Sequence, residues 1–208
     1  MKQSFELLMS HETVEYYTPE IYTNAAREVM GSIDLDPASC WLANNQYVKA
    51  ERYFSRKDDG LTKVWFGNVW LNPPYSTTRG KSSQMIWTDY LIEQYKNGNV
   101  KQAVALIKSA LGYIWYESLV KDCWICLAED RIPFIRHDGK QKGKAKHGTT
   151  FLYLGDYPDK FFLEFSKFGR VLPPQDTIDS WIHDDLHWIE MRRKIDRKLK
   201  NELDSRTD

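Results

Sequence analysis

The chain lacks most of the features that announce a function class. It has no charge excess, with 29 Lys+Arg against 29 Asp+Glu in 208 residues. A nucleic-acid partner is therefore not signalled by net charge, and any basic surface must be local. It has no apolar run near the ~18 residues of a membrane span, and MKQSFELLMSHETVEYY carries no signal-peptide core. Cysteine is scarce: Cys40, Cys123 and Cys126 leave one over from any pairing, which suits a reducing cytosol. The C-x-x-C of Cys123 and Cys126 lies in the apolar run KDCWICLA with no second pair or histidine partners, so these read as core thiols of a strand. Internal repeats and low-complexity linkers are also missing. What is present is 42% hydrophobic and 14% aromatic residues, enough for a substantial core and too much for a disordered chain.

The pattern of the chain divides it into a loose polar arm over 1–16, a body over 17–172 and a charged amphipathic tail over 173–208, helical across 177–204. In the body, TPEIYTNAAREVMG predicts a helix: Thr18 can cap, Pro19 suits the first turn, Ile21, Ala25 and Val29 recur every four residues, and Gly31 ends it. SIDLDPAS predicts a short strand stopped at Pro37, while WLANNQYVKAERYF is open between a helix and an irregular stretch leading to a strand. From Asn68 onward the order is strand (NVWL), helix (SSQMIWTDYLIEQYK), strand (AVALIKS), helix (GYIWYESLVKD), strand (CWICLA). This βαβαβ order predicts a parallel sheet with helices on both faces. TTFLYLG and KFFLEFSKFGRVL predict further strands, antiparallel, at the far end.

One tetrapeptide carries chemistry. Asn72-Pro73-Pro74-Tyr75 follows the strand VWL directly, and proline must end the ladder there. The carboxyl ends of strands in open α/β sheets are where ligands bind. The prolines stiffen the turn, Asn72 offers a side-chain carbonyl, Pro73 a backbone carbonyl, and Tyr75 a flat ring. Two rigid acceptors beside a stacking plane match an exocyclic amine on a planar heterocycle. Such acceptors favour the pyramidal nitrogen needed for attack and stabilise the positive charge that grows on it. The plainer alternative is a proline loop whose tyrosine covers the core.

These residues resemble the [DNS]-Pro-Pro-[Tyr/Phe/Trp] signature of amino-methyltransferases that use S-adenosylmethionine. The wider pattern is similar to the bacteriophage DNA N-6-adenine-methyltransferase family. It runs through YTPEIYTNAAREVMGSIDLDPAS, Ala43-Asn44, VKAERYF, Asp59-Gly60-Leu61, VWLNPPYS, AVALIKSAL, EDRIPFI and HGTTFLYLG, about residues 16–155. The resemblance implies a Rossmann-like class I methyltransferase sheet, mostly parallel with an antiparallel end and a C-terminal helix. It implies N6 methylation of adenine in DNA, in a cytoplasm that would be the bacterial host's for a phage gene, with a role beside restriction as one setting. By the family's pattern, Tyr17, Thr18 and Pro19 would lie at the methionine end of the cofactor. Asp36-Pro37-Ala38-Ser39 would replace a Gly-rich loop, helped by Asp34. Asp59, with Asp58 as its neighbour, would meet the cofactor's adenine, and Asn44 the amino-acid end. The catalytic set would be Asn72, Pro73, Pro74 and Tyr75.

The chain departs from the wider methyltransferase pattern in having no G-x-G-x-G. Only 32 residues separate Ser39 from Asn72, so the first half of the sheet should be reduced and its ribose-binding acid is not evident. Each of Thr18-Pro19, Asp36-Pro37 and Asp58-Asp59-Gly60 has a plain reading as a cap or turn. Cytosine N4, RNA adenine and protein glutamine remain rival amines, and a silent DNA-binding module of the same fold is the rival of another class.

A base in a duplex must be flipped out to reach such a site, so phosphate-binding groups are expected near it. Arg79 and Lys81 follow the motif. Residues 131–147 carry Arg131, Arg136, Lys140, Lys142, Lys144 and Lys146 against Asp138 alone, a net of +5. A solvated loop is the plain reading of such a run. His183 and His187 in the tail lack a third ligand, so no metal is expected. Trp181, Trp188 and Ile195 would dock the tail on the body or on a second copy.

Overall fold

The computed structural model describes residues 16–78, 80–136, 145–183, 189–190, 192–194 and 197. The first long element is α1 (Glu20–Met30), which follows the short strand β1 (Tyr16–Tyr17). Pro19, not Thr18, occupies the N-cap position of α1, and no side chain caps the helix. Gly31, at φ +84°, ends it by a left-handed turn that glycine adopts without strain. The two-residue strand β2 (Leu35–Asp36) stops at Pro37. The ambiguous stretch resolves into both alternatives in turn: α2 (Trp41–Ala43), a π-helical turn over Asn44–Val48, then β3 (Arg52–Tyr53).

β4 (Gly67–Leu71), α3 (Ser83–Lys96), β7 (Val100–Lys108), α4 (Ile114–Asp122) and β8 (Trp124–Ala128) form the expected alternation. Between β4 and α3 lies a small hairpin, β5 (Thr77–Thr78) with β6 (Lys81–Ser82). After β8 come β9 (Ile135–Arg136) and β10 (Thr149–Leu154). The chain then forms α5 (Pro158–Phe165), β11 (Gly169–Leu172) and α6 (Gln175–His183).

Seven strands form one mixed sheet in the order β11-β8-β10-β7-β4-β2-β3. The contacts β3–β2, β2–β4 and β4–β7 are parallel, and the contacts of β10 with β7 and β8 and of β11 with β8 are antiparallel. Five strands therefore run one way, and β10 and β11 oppose them. The sheet is mostly parallel, with the opposing strands at one end. β8 does not lie beside β7, as consecutive βαβ units would suggest, because β10 fills the place between them. The other end is built from the two-residue strands β2 and β3.

Two apolar layers cover the sheet. One face packs α1 and α5 through Ala25, Ala26, Val29, Phe161 and Phe165. The other packs α3 and α4 through Leu91, Tyr116 and Leu119. Cys126 belongs to the first layer and Cys123 to the second, so the C-x-x-C thiols point to opposite faces. Burial pushes both up to about 12. The end of α1 is tied to the sheet by side-chain amides, with Asn68 Nδ2 and the buried Gln102 Nε2 both donating to the Met30 carbonyl.

The strand expected over residues 160–172 is corrected. Its first half is helix α5, and only Gly169–Leu172 joins the sheet. Pro158 suits a first helical turn, and Phe161 and Phe165 stand four residues apart, on one helical face. Phe161 stacks on Tyr153 at 5.1 Å and on Phe165 at 4.5 Å. The aromatic run was compatible with either period; this stack selects the helix. Of the tail, α6 packs against α4, while Leu186, His187, Trp188, Ile195 and Leu199 lie outside the described residues, as do 1–15 of the arm. No helix among the described residues is long and apolar enough to cross a membrane.

Replacing the fully buried Phe161 by alanine should cost about 3–5 kcal/mol, read as a lower midpoint in urea unfolding. A cost below 1 kcal/mol would contradict the central place given to this aromatic stack.

Candidate active site

The carboxyl ends of the parallel strands β2 and β4 bring the quoted motifs together. Asn72 leaves β4 at this edge, and its Nδ2 donates to Thr18 Oγ1 at 3.1 Å across 54 residues of sequence. Thr18 is buried and its side chain is not spent on capping α1. That bond fixes the amide's orientation. It leaves Asn72 Oδ1 buried with no hydrogen-bond partner. Unsatisfied buried acceptors are rare, because each costs about 1–3 kcal/mol. Pro73 is buried behind Asn72, and Pro74 and Tyr75 are exposed.

Tyr75 keeps 47% of its surface open. Its ring meets Phe134 edge-on, with centroids 6.2 Å apart, and the dense surroundings of its hydroxyl raise its pKa, so the phenol stays neutral. Phe134 had no role in the sequence reading. It sits in EDRIPFI, a stretch of the family pattern in which no residue was assigned to the catalytic site, and its place depends on β9. There Tyr17 pairs with Ile135 and Tyr16 with Arg136. Tyr17 is itself buried and stacks on Tyr47 at 5.7 Å.

The acidic segments converge beside this edge. Asp36 is 3% exposed, and burial pushes its carboxyl up to about 7, against a pull downward from the Ala38 N–H, which donates to Asp36 Oδ1 at 3.1 Å. Ser39, near enough to temper the effect, has a buried hydroxyl without a well-formed hydrogen bond. Gly60 packs so closely on Pro37 that a Cβ would stand 2.2 Å from the Pro37 carbonyl oxygen. The buried Trp65 anchors this contact by donating from Nε1 to the Gly60 carbonyl at 2.8 Å. Asp59 is thereby held next to Asp36-Pro37, in a left-handed conformation (φ +52°) that a non-glycine residue rarely adopts. Its carboxylate accepts no hydrogen bond among the described residues, whereas Asp58 binds the Ser55 N–H and hydroxyl, which lowers its pKa.

Two residues face other tasks. Asp34 accepts from Ser32 Oγ and from the Asn68 N–H, at the start of β4 rather than its end. Asn44 spends both ends of its amide on the Ala50 backbone, at 3.1 and 2.9 Å, and so shapes the loop under Tyr47.

Lys81, Arg131, Arg136 and Lys146 are all exposed. Lys81 lies on the hairpin that follows Tyr75. The Ala145 N–H donates to the Ile132 carbonyl, beyond the end of β8, and the Ser109 N–H to that of Gly148, beyond the end of β7. Arg79, His137, Lys140, Lys142 and Lys144 lie outside the described residues.

Two cavities lie away from this edge. One of about 500 Å³ is lined by Met85, Asp89, Ile92, Tyr113, Ile114 and Trp115 between α3 and α4, and a smaller one adjoins Leu61 and Tyr90. Neither includes a residue of Asn72–Tyr75. The site is marked by its unpaired polar atoms, Asn72 Oδ1 and Ser39 Oγ.

A family model described as DNA N-6-adenine-methyltransferase (Dam) matches residues 9–158. No curated protein and no solved structure matches the chain.

The raised pKa of Asp36 has a definite sign. The folded chain holds that proton more tightly than the unfolded one, so this group's contribution to stability falls as pH rises from about 4 to about 7 and is level above. The fall is at most about 4 kcal/mol. Urea unfolding of the wild type and Asp36→Asn at pH 5 and pH 8 should show the variant gaining on the wild type at the higher pH. Parallel pH profiles would show that Asp36 ionises freely.

Proposed function

Because the chain belongs to the DNA N-6-adenine-methyltransferase family, we propose that it methylates the N6 amine of adenine in DNA, using S-adenosylmethionine, on a Rossmann-like methyltransferase sheet. The observation that supports this most directly is the buried, unpaired Oδ1 of Asn72, held in orientation by Thr18.

In this reading the target adenine is flipped from the duplex, at a cost of a few kcal/mol. Tyr75 stacks on it, which returns roughly 1–3 kcal/mol. Asn72 Oδ1 and the Pro73 carbonyl accept the two hydrogens of the amine. They draw the nitrogen toward a pyramidal geometry and stabilise the positive charge that develops on it. The amine loses its proton after methylation, so no strong base is needed beside it.

The residues present fit the cofactor. S-adenosylmethionine, when bound, supplies an electrophilic methyl group on a sulfonium. Tyr17, Thr18 and Pro19 would hold its methionine end, with Asn44 bracing the loop behind them through the Ala50 backbone. Asp36 to Ser39 form a polar cradle whose buried carboxyl and unpaired hydroxyl suit a donor-bearing ligand. Asp59 has its carboxylate available for the adenine amine, and Asp34 steadies the start of β4 beneath the cradle. Lys81, Arg131, Arg136 and Lys146, with Arg79, Lys140, Lys142 and Lys144, bind phosphates around the flipped base.

The test is incubation of the purified chain with unmethylated DNA and S-adenosylmethionine, followed by mass spectrometry of the nucleosides. N6-methyladenine is expected. N4-methylcytosine, or no methylated nucleoside, would refute the proposal.

Asn72→Ala should slow transfer roughly 100-fold or more while cofactor binding by calorimetry changes little. Tyr75→Ala should cost about tenfold or more through lost stacking. Full transfer by either variant would remove that residue from the mechanism. Replacing both Lys81 and Lys146 by alanine should reduce the slope of log K against log salt by about one per residue; an unchanged slope would place these lysines away from DNA.

A further inference from the structure

A third buried polar atom, besides Asn72 Oδ1 and Ser39 Oγ, has no hydrogen-bond partner. Thr149 opens β10, is 2% exposed, and its Oγ1 makes no hydrogen bond. Its neighbour Thr150 differs. Thr150 Oγ1 meets Tyr116 Oη at 2.6 Å and Ser109 Oγ at 2.9 Å on the opposite face. The unpaired state therefore belongs to Thr149 and is not a general feature of the strand start.

The strand registers give the position of Thr149 relative to Asn72. Thr149 lies opposite Lys108 of β7, and Leu71 of β4 lies opposite Ala105. Side chains alternate along strands. Trp70, Leu106 and Phe151 face the layer formed with α1, so Asn72, Lys108 and Thr149 share that face. Asn72 and Thr149 stand two strands apart and about two residues out of step. Strand spacing and rise put about 12 Å between their Cα atoms. Two hydrogen bonds of about 3 Å each and two adjacent nitrogens of one base reach across less than that span, so the bridge requires the Asn72 and Thr149 side chains to lean toward one another over β7.

The two atoms are complementary to one ligand. Asn72 Oδ1 can only accept, while the Thr149 hydroxyl can donate. The amino edge of adenine offers a donor, N6, flanked by acceptor ring nitrogens on both sides. We propose that Thr149 is a positioning residue for the target base, donating its hydroxyl proton to a ring nitrogen beside the amine that Asn72 holds. This rests on the methyl-transfer reading above. The unpaired hydroxyl is a standing cost in the free protein that the extruded base removes.

The test uses the full chain and oligonucleotides that carry adenine, 1-deazaadenine or 7-deazaadenine at the methylated position. Each analogue lacks one ring acceptor. The wild type should slow roughly tenfold on one of them, the size of one hydrogen bond. Thr149→Val keeps the shape and removes the hydroxyl. It should slow roughly tenfold on adenine, with no further loss on the analogue that slows the wild type, and Thr149→Ser should restore the rate. S-adenosylmethionine binding by calorimetry should be unchanged. The Tm of Thr149→Val should equal or exceed that of the wild type, because an unpaired buried hydroxyl has been removed. A wild-type rate in Thr149→Val, or the same valine penalty on all three bases, overturns the proposal. A fall in Tm with loss of cofactor binding overturns it as well, by assigning Thr149 a structural role. A wild type that methylates no adenine at all refutes instead the methyl-transfer reading on which the inference rests.

Discussion

The hydrogen bond from the Asn72 amide to the Thr18 hydroxyl sets the character of the whole edge of the sheet. An asparagine amide has one end that donates and one that accepts. Committing the donor to a buried threonine turns the acceptor the other way and keeps it there. The bond requires Thr18 to be free of the helix that follows, and it is free because Pro19 occupies the N-cap position of α1 without a side-chain cap. It also requires the chain before α1 to be held down, which the ladder between Tyr16–Tyr17 and Ile135–Arg136 achieves.

The rest of the fold serves this placement. Proline ends β4 at the one point where a rigid turn can overhang a parallel sheet. Trp65, through the Gly60 carbonyl, presses the Asp59-Gly60 turn onto Pro37 and joins two acidic segments that sequence separates by more than twenty residues. The side-chain amides of Asn68 and Gln102 anchor the far end of α1. The helix is thus pinned at its end by the sheet and at its start by the site, with little freedom between. Rigid support of this kind is what electrostatic preorganisation needs.

The edge is also closed in this structure. Phe134 lies against Tyr75, and the oxygen of Asn72 is sealed from water. Phe134 is carried in beside one of the short ladders, the two-residue pairing of β1 with β9.

By itself the sequence determined the proline turn after β4 and the periodic elements. The run Asn72 to Tyr75, the helix over Glu20–Met30 and the alternation from β4 to β8 were legible because proline, glycine and apolar spacing act over a few residues. The aromatic run Lys160–Phe165 was not legible. Its period was ambiguous, and only the stack on Tyr153, whose strand lies across the sheet from β4, chose a helix. The place of β10 between β7 and β8, the meeting of Thr18 with Asn72, the covering role of Phe134 and the orphaned hydroxyl of Thr149 were likewise decided by tertiary structure alone. Each depends on which strands become neighbours, and strand order is set by long-range packing that no short stretch of sequence records.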